Sequence, residues 1–307
     1  MIAFIDEYRG RFGVEFICKT LNRERLGGFI TSRGYRDAKT RPPSARSVRD
    51  QELVELVRRV HAANYSVYGI RKMWRALERH GVSIGRDQTA RLMRLAGVCG
   101  KAKGRGLVTT RKSKREDTRP DLVCRHFRAD GPNKLWVADI TYVRVKCSFV
   151  YTAFVTDVFS RKIVGWAVSE TMTTGALPLQ ALHQSITTAK GSLEDLIHHS
   201  DHGAQYVSIA YGTTLQDAGI KSSTGTVGDS YDNALAENVN GSYKNELIHA
   251  QTWEDVFEVE TATLEWVDWW NNARLHENLD YQTPTETEAL YWKSQTTTKT
   301  SKHKAKA

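Results

Sequence analysis

Along the first hundred residues apolar positions recur at helical spacing. Phe4, Ile5 and Tyr8, then Val14, Ile17 and Leu21, predict two short helices before residue 40. After the Pro and Ser break in "TRPPSARSVRD", the spacing returns at Leu53, Val54, Leu56, Val57 and Val60. It returns again at Ile70, Met73, Trp74 and Leu77, and a third time at Thr89, Leu92, Met93 and Leu95. The short turns "NYSVYG" and "RHGVSIG" separate these three helices, which is the layout of a helix-turn-helix module. Its third helix, "RDQTARLMRLAG", offers Arg86, Gln88, Arg91 and Arg94 as groove-facing candidates.

Past Pro120 the pattern changes. "KLWVADITYVRV", "FVYTAFVTDVFS" and "RKIVGWAVSE" are strand-like runs rich in Val, Ile, Tyr and Thr with short polar turns between them, an expected antiparallel meander. A helix in "TTGALPLQALHQSITTAK", a strand in "DLIHHS", a helix in "IAYGTTLQDAGI" and a strand near "KSST" complete a predicted α/β core with a mixed sheet. The Gly-rich loop "TGTVGDSYDN" leads into a helix, "ALAENVNGSYKNELIH". From Trp253 to about Trp292 the chain reads as helical, with Trp266, Trp269, Trp270 and Ala273 on one stripe expected to be core rather than a base-stacking surface.

The expected organisation is therefore an N-terminal helical arm (1–45), a helix-turn-helix-like DNA-binding domain (46–99), a basic linker (100–120), the α/β core (121–250), a C-terminal helical extension of the core (251–292) and a disordered basic tail (293–307).

Charge sharpens this division. Up to Pro120 there are 28 Lys and Arg against 12 Asp and Glu, and beyond it 16 against 23. A basic arm able to follow phosphates thus precedes a domain whose carboxylates serve another purpose. Cys18, Cys99, Cys124 and Cys147 are scattered without a CxxC pair, which signals neither a zinc finger nor a disulfide framework. No apolar run approaches the length of a membrane span, so a soluble cytoplasmic protein with no membrane partner is expected.

The stretch "HHSDHGAQY" packs Asp201 among His198, His199 and His202 and raises the question of zinc. A binuclear HxHxDH site would need histidine at 197, where isoleucine stands, and adjacent strand residues point to opposite faces. The alternative is a hard-cation site of several carboxylates, suited to Mg²⁺ or Mn²⁺ and phosphate chemistry. Asp139 lies inside the first strand, where a charge needs a partner or a metal. Candidates for a third acid are Asp229, Asp232, Glu237 and Glu246. Glu237 shares a helix face with Asn233, Asn240 and Lys244. Lys244 is turned only about 20° from it, whereas Glu246 is about 180° away.

Thirty-five residues separate Asp201 from Glu237, and Lys244 follows seven later. This resembles the D, D(35)E signature, with its trailing basic residue, of retroviral-integrase-like transposases. "LWVADITYV", "HHSDHGAQY", "SYDNALAENVNGSYKNELI" and "NNARLHENLDYQTPTE" resemble, in order and position, the second-frame (OrfB-type) product of the third insertion-sequence family. The likeness runs from the helix-turn-helix region to about Glu288. It departs at His202, where Arg or Gln is usual, and between Asn22 and Lys39, where the family's Ser-Thr-Tyr-Tyr stretch is missing.

The resemblance implies an α/β ribonuclease-H-like catalytic core preceded by an all-α helix-turn-helix region, with Asp139, Asp201 and Glu237 as the catalytic, metal-binding acids. It implies two divalent cations, Mg²⁺ or Mn²⁺, and a transposase that cleaves element ends and joins them to target DNA. Lys244, Asn233 and Asn240 are expected to face DNA near that site. Expected partners are DNA, further copies of the chain and an upstream-frame (OrfA-type) protein with which it is fused or on which it depends, in the bacterial cytoplasm at the nucleoid. Arg274 and His276 belong to the family's C-terminal motif without a chemical role readable from sequence. Two other readings are a helix-turn-helix DNA-binding regulator with an inactive core and a ribonuclease-H-type nuclease.

Overall fold

The computed structural model describes residues 1–102, 120–123, 126–201, 205–224 and 234–304. Most of the basic linker, the Gly-rich loop from 225, Asn233, and His202 with the two residues after it lie outside them. The chain forms two compact units, Met1–Leu56 and Val57–Ala307.

In the first unit α1 (Ile2–Phe12) and α2 (Val14–Glu24) follow the sequence pattern. A further helix, α3 (Ser32–Thr40), was not expected. Its only large apolar residue is Tyr35, so no periodicity betrays it. Thr31 caps it by accepting from the Gly34 N–H at 3.0 Å, and Tyr35 is buried with Ile5, Ile17 and Cys18. Local capping and one anchor do the work of an apolar stripe.

The helix α4 (Ala45–Ala63) passes into the second unit, where α5 (Ile70–Arg79) and α6 (Arg86–Ala96) follow. Met73, Ala76 and Leu77 of α5 and Thr89, Leu92, Met93 and Ala96 of α6 are buried. Ile70 and Leu95, counted on the buried stripe from spacing, are exposed.

The sheet is built from β1 (Leu135–Arg144), β2 (Phe149–Asp157), β3 (Ile163–Ser169), β4 (Ile197–Ser200) and β5 (Lys221–Thr224), in the order β3-β2-β1-β4-β5. Short turns join β1, β2 and β3 antiparallel. The connections through α7 (Pro178–Thr188) and α8 (Ile209–Asp217) make β1, β4 and β5 parallel. This is the mixed α/β sheet that the sequence pattern predicts, with five strands.

Strand alternation divides the core between two faces. Trp136, Ala138, Ala153, Val155 and Ala167 pack against Leu177, Ala181, Leu182, Tyr211 and Leu215. On this face α7 comes so close to β3 that a Cβ on Gly165 would lie 2.1 Å from the Ala181 carbonyl. The other face receives α9 (Ala234–Glu246) and α10 (Val256–Asn272). There Phe154, Tyr243 and Trp266 form an aromatic cluster with centroids 5.0 to 5.8 Å apart. Trp266, Trp269 and Trp270 are buried, as the stripe predicts, whereas Ala273, just past the end of α10, is exposed.

The last helix, α11 (Pro284–Lys304), does not end near Trp292 but continues through most of the expected disordered tail. Thr296 Oγ1 donates back to the Trp292 carbonyl at 3.0 Å.

Candidate active site

Asp139 faces the α9 side of the sheet, because it pairs directly with Phe154 of β2. Its Oδ1 accepts from the Ile140 N–H at 2.8 Å, and its Oδ2 accepts from Asn240 Nδ2 on α9 at 2.9 Å. The carboxyl is half-buried and its pKa is pushed up to about 7. Burial is the main cause and the negative charge of Asp201 the next; Glu237 adds to them, while the two N–H donors act in the opposite sense.

Asp201 owes its place to strand register. Ala138 lies beside Ser200 in the parallel β1–β4 pair, so Asp201, the first residue past β4, follows next to the point where Asp139 continues β1. Glu237 stands on the first turn of α9, exposed, and near enough for its charge to act on Asp139. Three carboxylates thus share one electrostatic neighbourhood at the carboxyl end of β4, where α/β sheets leave room for ligands.

The donor set is all oxygen, which suits a hard divalent cation. Asn240 Oδ1, buried beside Asp139, has no hydrogen-bond partner among the described residues and gives the site a further oxygen. Among the described residues, however, no three acidic, histidine or cysteine side chains already form a group that could hold a metal ion. Glu237 sits at the margin of the 225–233 segment outside the description.

The histidines part company. His198 turns to the α8 face, where Nε2 is 3.0 Å from the Tyr211 hydroxyl. His199 turns to the opposite face, with Nδ1 3.0 Å from Ser223 Oγ and its ring edge-on to Phe127. Both serve packing and polar satisfaction rather than a shared zinc ion, as alternation along β4 requires.

Lys244 extends over the ring of Tyr142, its Nζ 4.2 Å from the centroid. On α6, Arg86 and Arg94 are exposed, while Gln88 and Arg91 are half-buried; Arg86 lies 3.8 Å from Asp87. Asn233 lies outside the described residues.

One polar cluster had no role in sequence. Glu246, on the far side of α9 from Glu237, is buried and accepts from Arg274 Nε and Nη2 at 2.6 to 3.2 Å. Arg274 stacks over Trp270 at 4.3 Å, and its Nη1 lies 3.2 Å from His276 Nδ1. Burial, with the Arg274 charge next, pushes the His276 pKa down to about 2. The signal available in sequence was Arg and His following directly on a tryptophan-rich helix, a place where charges need partners.

Comparison with known proteins gives the same outline. An HTH-like domain model matches residues 48–106, and models of the integrase core domain match 129–230 and 218–284. A Mycobacterium tuberculosis protein assigned to insertion sequence element IS986/IS6110 is 46% identical over 84% of this chain and 94% of its own. The transposase for insertion sequence element IS629 of Shigella sonnei is 43% identical over 96% of this chain and 97% of its own. Among solved structures, the HTLV-2 integrase catalytic core domain in complex with magnesium matches with a TM-score of 0.39 and 18% identity, over 52% of this chain and 99% of that one.

Proposed function

This chain belongs to the insertion-sequence transposases that carry an HTH-like domain and an integrase core, and we propose that Asp139, Asp201 and Glu237 are the acids with which it transfers DNA strands. The protein is a DNA transposase of the polynucleotidyl transferase type, and an integrase-like core implies use of a divalent metal. The observation that carries the assignment of acids is the place of Asp139: Asn240, on the helix that carries Glu237, holds its carboxylate at 2.9 Å, and the β1–β4 register brings Asp201 next to it, with burial and the neighbouring charges pushing its pKa up to about 7. Carboxylates gathered in this way repel one another until a cation joins them.

In this reading the three acids would hold two divalent cations, Mg²⁺ or Mn²⁺, which when bound supply Lewis-acid stabilisation of the oxygens entering and leaving phosphorus. Asn240 orients Asp139 through its amide and keeps its carboxylate turned towards the ligand. Lys244 leaves the Tyr142 ring to meet a phosphate of the bound strand. Asn233 and the α6 residues Arg86, Gln88, Arg91 and Arg94 contact DNA. Cleavage at an element end frees a 3'-hydroxyl, and strand transfer uses that hydroxyl against a second duplex, so one site serves both in-line displacements. Self-assembly, an upstream-frame partner that selects the ends, and residence at the nucleoid in the cytoplasm belong to the same reading. No helix among the described residues is long and apolar enough to cross a membrane.

The test is resolution of a branched, integration-product-like oligonucleotide with Mg²⁺ or Mn²⁺, beside Asp139→Asn and Glu237→Gln. Wild type should resolve the branch and both variants should not. Equal behaviour of all three proteins overturns the acid assignment, and cutting of RNA–DNA hybrids without any joining would mark a nuclease instead.

A further inference from the structure

The module made by α5, α6 and the end of α4 is tied to the C-terminal segment of its own unit by bonds of unequal depth. Inside, Trp269 Nε1 donates to Asn64 Oδ1 at 3.1 Å, the Leu275 N–H donates to the Tyr68 hydroxyl at 2.8 Å, and Tyr65 lies 4.8 Å from Trp269. Outside, Arg79 forks onto Glu286 with two bonds of 2.8 Å and reaches the Tyr281 carbonyl at 2.9 Å. Arg71 meets Glu277 at 2.8 Å. The cations of α5 that would otherwise follow phosphates are thus engaged by the protein, while Arg86 and Arg94 of α6 remain exposed.

The module's far end points the same way. Lys101, which follows α6, and Lys244, on α9, both act on His249, whose imidazolium is disfavoured first by burial and then by these two charges. The same α9 carries Asn240, which holds Asp139. Lys244 is seven residues from Glu237, about 10 Å along the helix axis. Lys101 and Lys244 mark a basic path from α6 towards the acids.

We propose that Arg79 and Glu286 are positioning residues for strand transfer, fixing the DNA-binding module on the core so that a duplex held by α6 meets the acids at a set distance. The proposal rests on the transposase reading above. A bidentate Arg–carboxylate pair defines an orientation as well as an attraction. An exposed pair contributes little to folding. Glu286 also accepts from the Thr283 N–H at 2.8 Å, but the reverse bond, from the Glu286 backbone N–H to Thr283 Oγ1, is one that exchange keeps, so the two side chains, 40% and 45% exposed, can be exchanged without loss of the core.

The experiment uses the full chain with Mn²⁺ and branched oligonucleotides whose duplex arm is lengthened stepwise. For wild type, the rate of resolution should rise about tenfold, a coupling of about 1.4 kcal/mol, once the arm is long enough to reach α6. Arg79→Glu and Glu286→Arg should each keep the short-arm rate and lose the rise, and the double exchange Arg79→Glu/Glu286→Arg should regain it. A rise that survives in Arg79→Glu, a double exchange that fails to regain it, or no rise in wild type overturns the positioning role. Equal loss at every arm length in the single variants also overturns it, since that pattern marks a merely structural pair. No resolution by wild type at any length is the separate failure of the enzymatic reading.

Discussion

Asn240 Nδ2 lies 2.9 Å from Asp139 Oδ2, joining the helix that carries Glu237 to the central strand of the sheet. Groups that orient a metal ligand tune its affinity by about 10- to 100-fold. Asn240→Ala should therefore raise the Mg²⁺ concentration needed for half-maximal branch resolution by about tenfold, with a smaller effect on the rate at saturating metal. Titration of activity with Mg²⁺ checks this, and an unchanged midpoint would exclude Asn240 from the site.

Glu246 and Arg274 are a second buried pair with a different purpose. Their side chains are 8% and 11% exposed, and removal of one partner leaves the other charge uncompensated. Glu246→Gln should cost about 3–5 kcal/mol of stability in urea unfolding, whereas Glu246→Gln/Arg274→Met should cost clearly less. A double variant as unstable as the single one would mean that packing against Trp270, not charge, holds this corner together.

Lys72 provides a pH dependence that can be signed. Burial, and then the charge of Arg274, lower its pKa from 10.5 to about 7. Between those values the unfolded chain binds the proton and the folded chain releases it, so stability rises with pH across that interval. Below about pH 7 Lys72 is charged in both states and the cost of burying the charge is fully present. Thermal unfolding should therefore show Tm increasing from pH 7 towards pH 10 more in wild type than in Lys72→Met. Parallel profiles would place the Lys72 ammonium in solvent.

How far the sequence revealed these features depends on the range of the interactions that create them. The meander β1 to β3 was legible almost residue by residue, because alternation and short turns are local. Asp139 drew attention as a charge inside an apolar strand, and Asp201 as an acid at a strand end. Tyr35 and the helix around it escaped, since that helix depends on three distant neighbours, Ile5, Ile17 and Cys18, and a cap rather than a stripe. Opposite facing marked Glu246 as unsuited to the acid site, but only folding shows that Arg274, 28 residues on, is its partner. Arg79 of α5 has no role that the sequence assigns, and only folding shows that its carboxylate, Glu286, lies more than two hundred residues away.

Arg86 and Arg94 stand on α6 about two helical turns apart and both are exposed; Arg94 faces away from buried Leu92 and Met93, and Arg86 opens the helix. If they contact phosphates, each released counterion contributes to the salt dependence of binding. Arg94→Ala should then weaken binding to any duplex about equally and reduce the slope of log affinity against log salt by about 1, and Arg86→Ala should do the same. Gln88, half-buried between them, makes no such electrostatic contribution, so Gln88→Ala should leave the slope unchanged and alter only discrimination between sequences. Fluorescence anisotropy with duplexes of differing sequence over a range of salt separates these outcomes. Unchanged slopes for both arginine variants would move the DNA-binding face off α6, and with it the origin of the path that runs past Lys101 and Lys244.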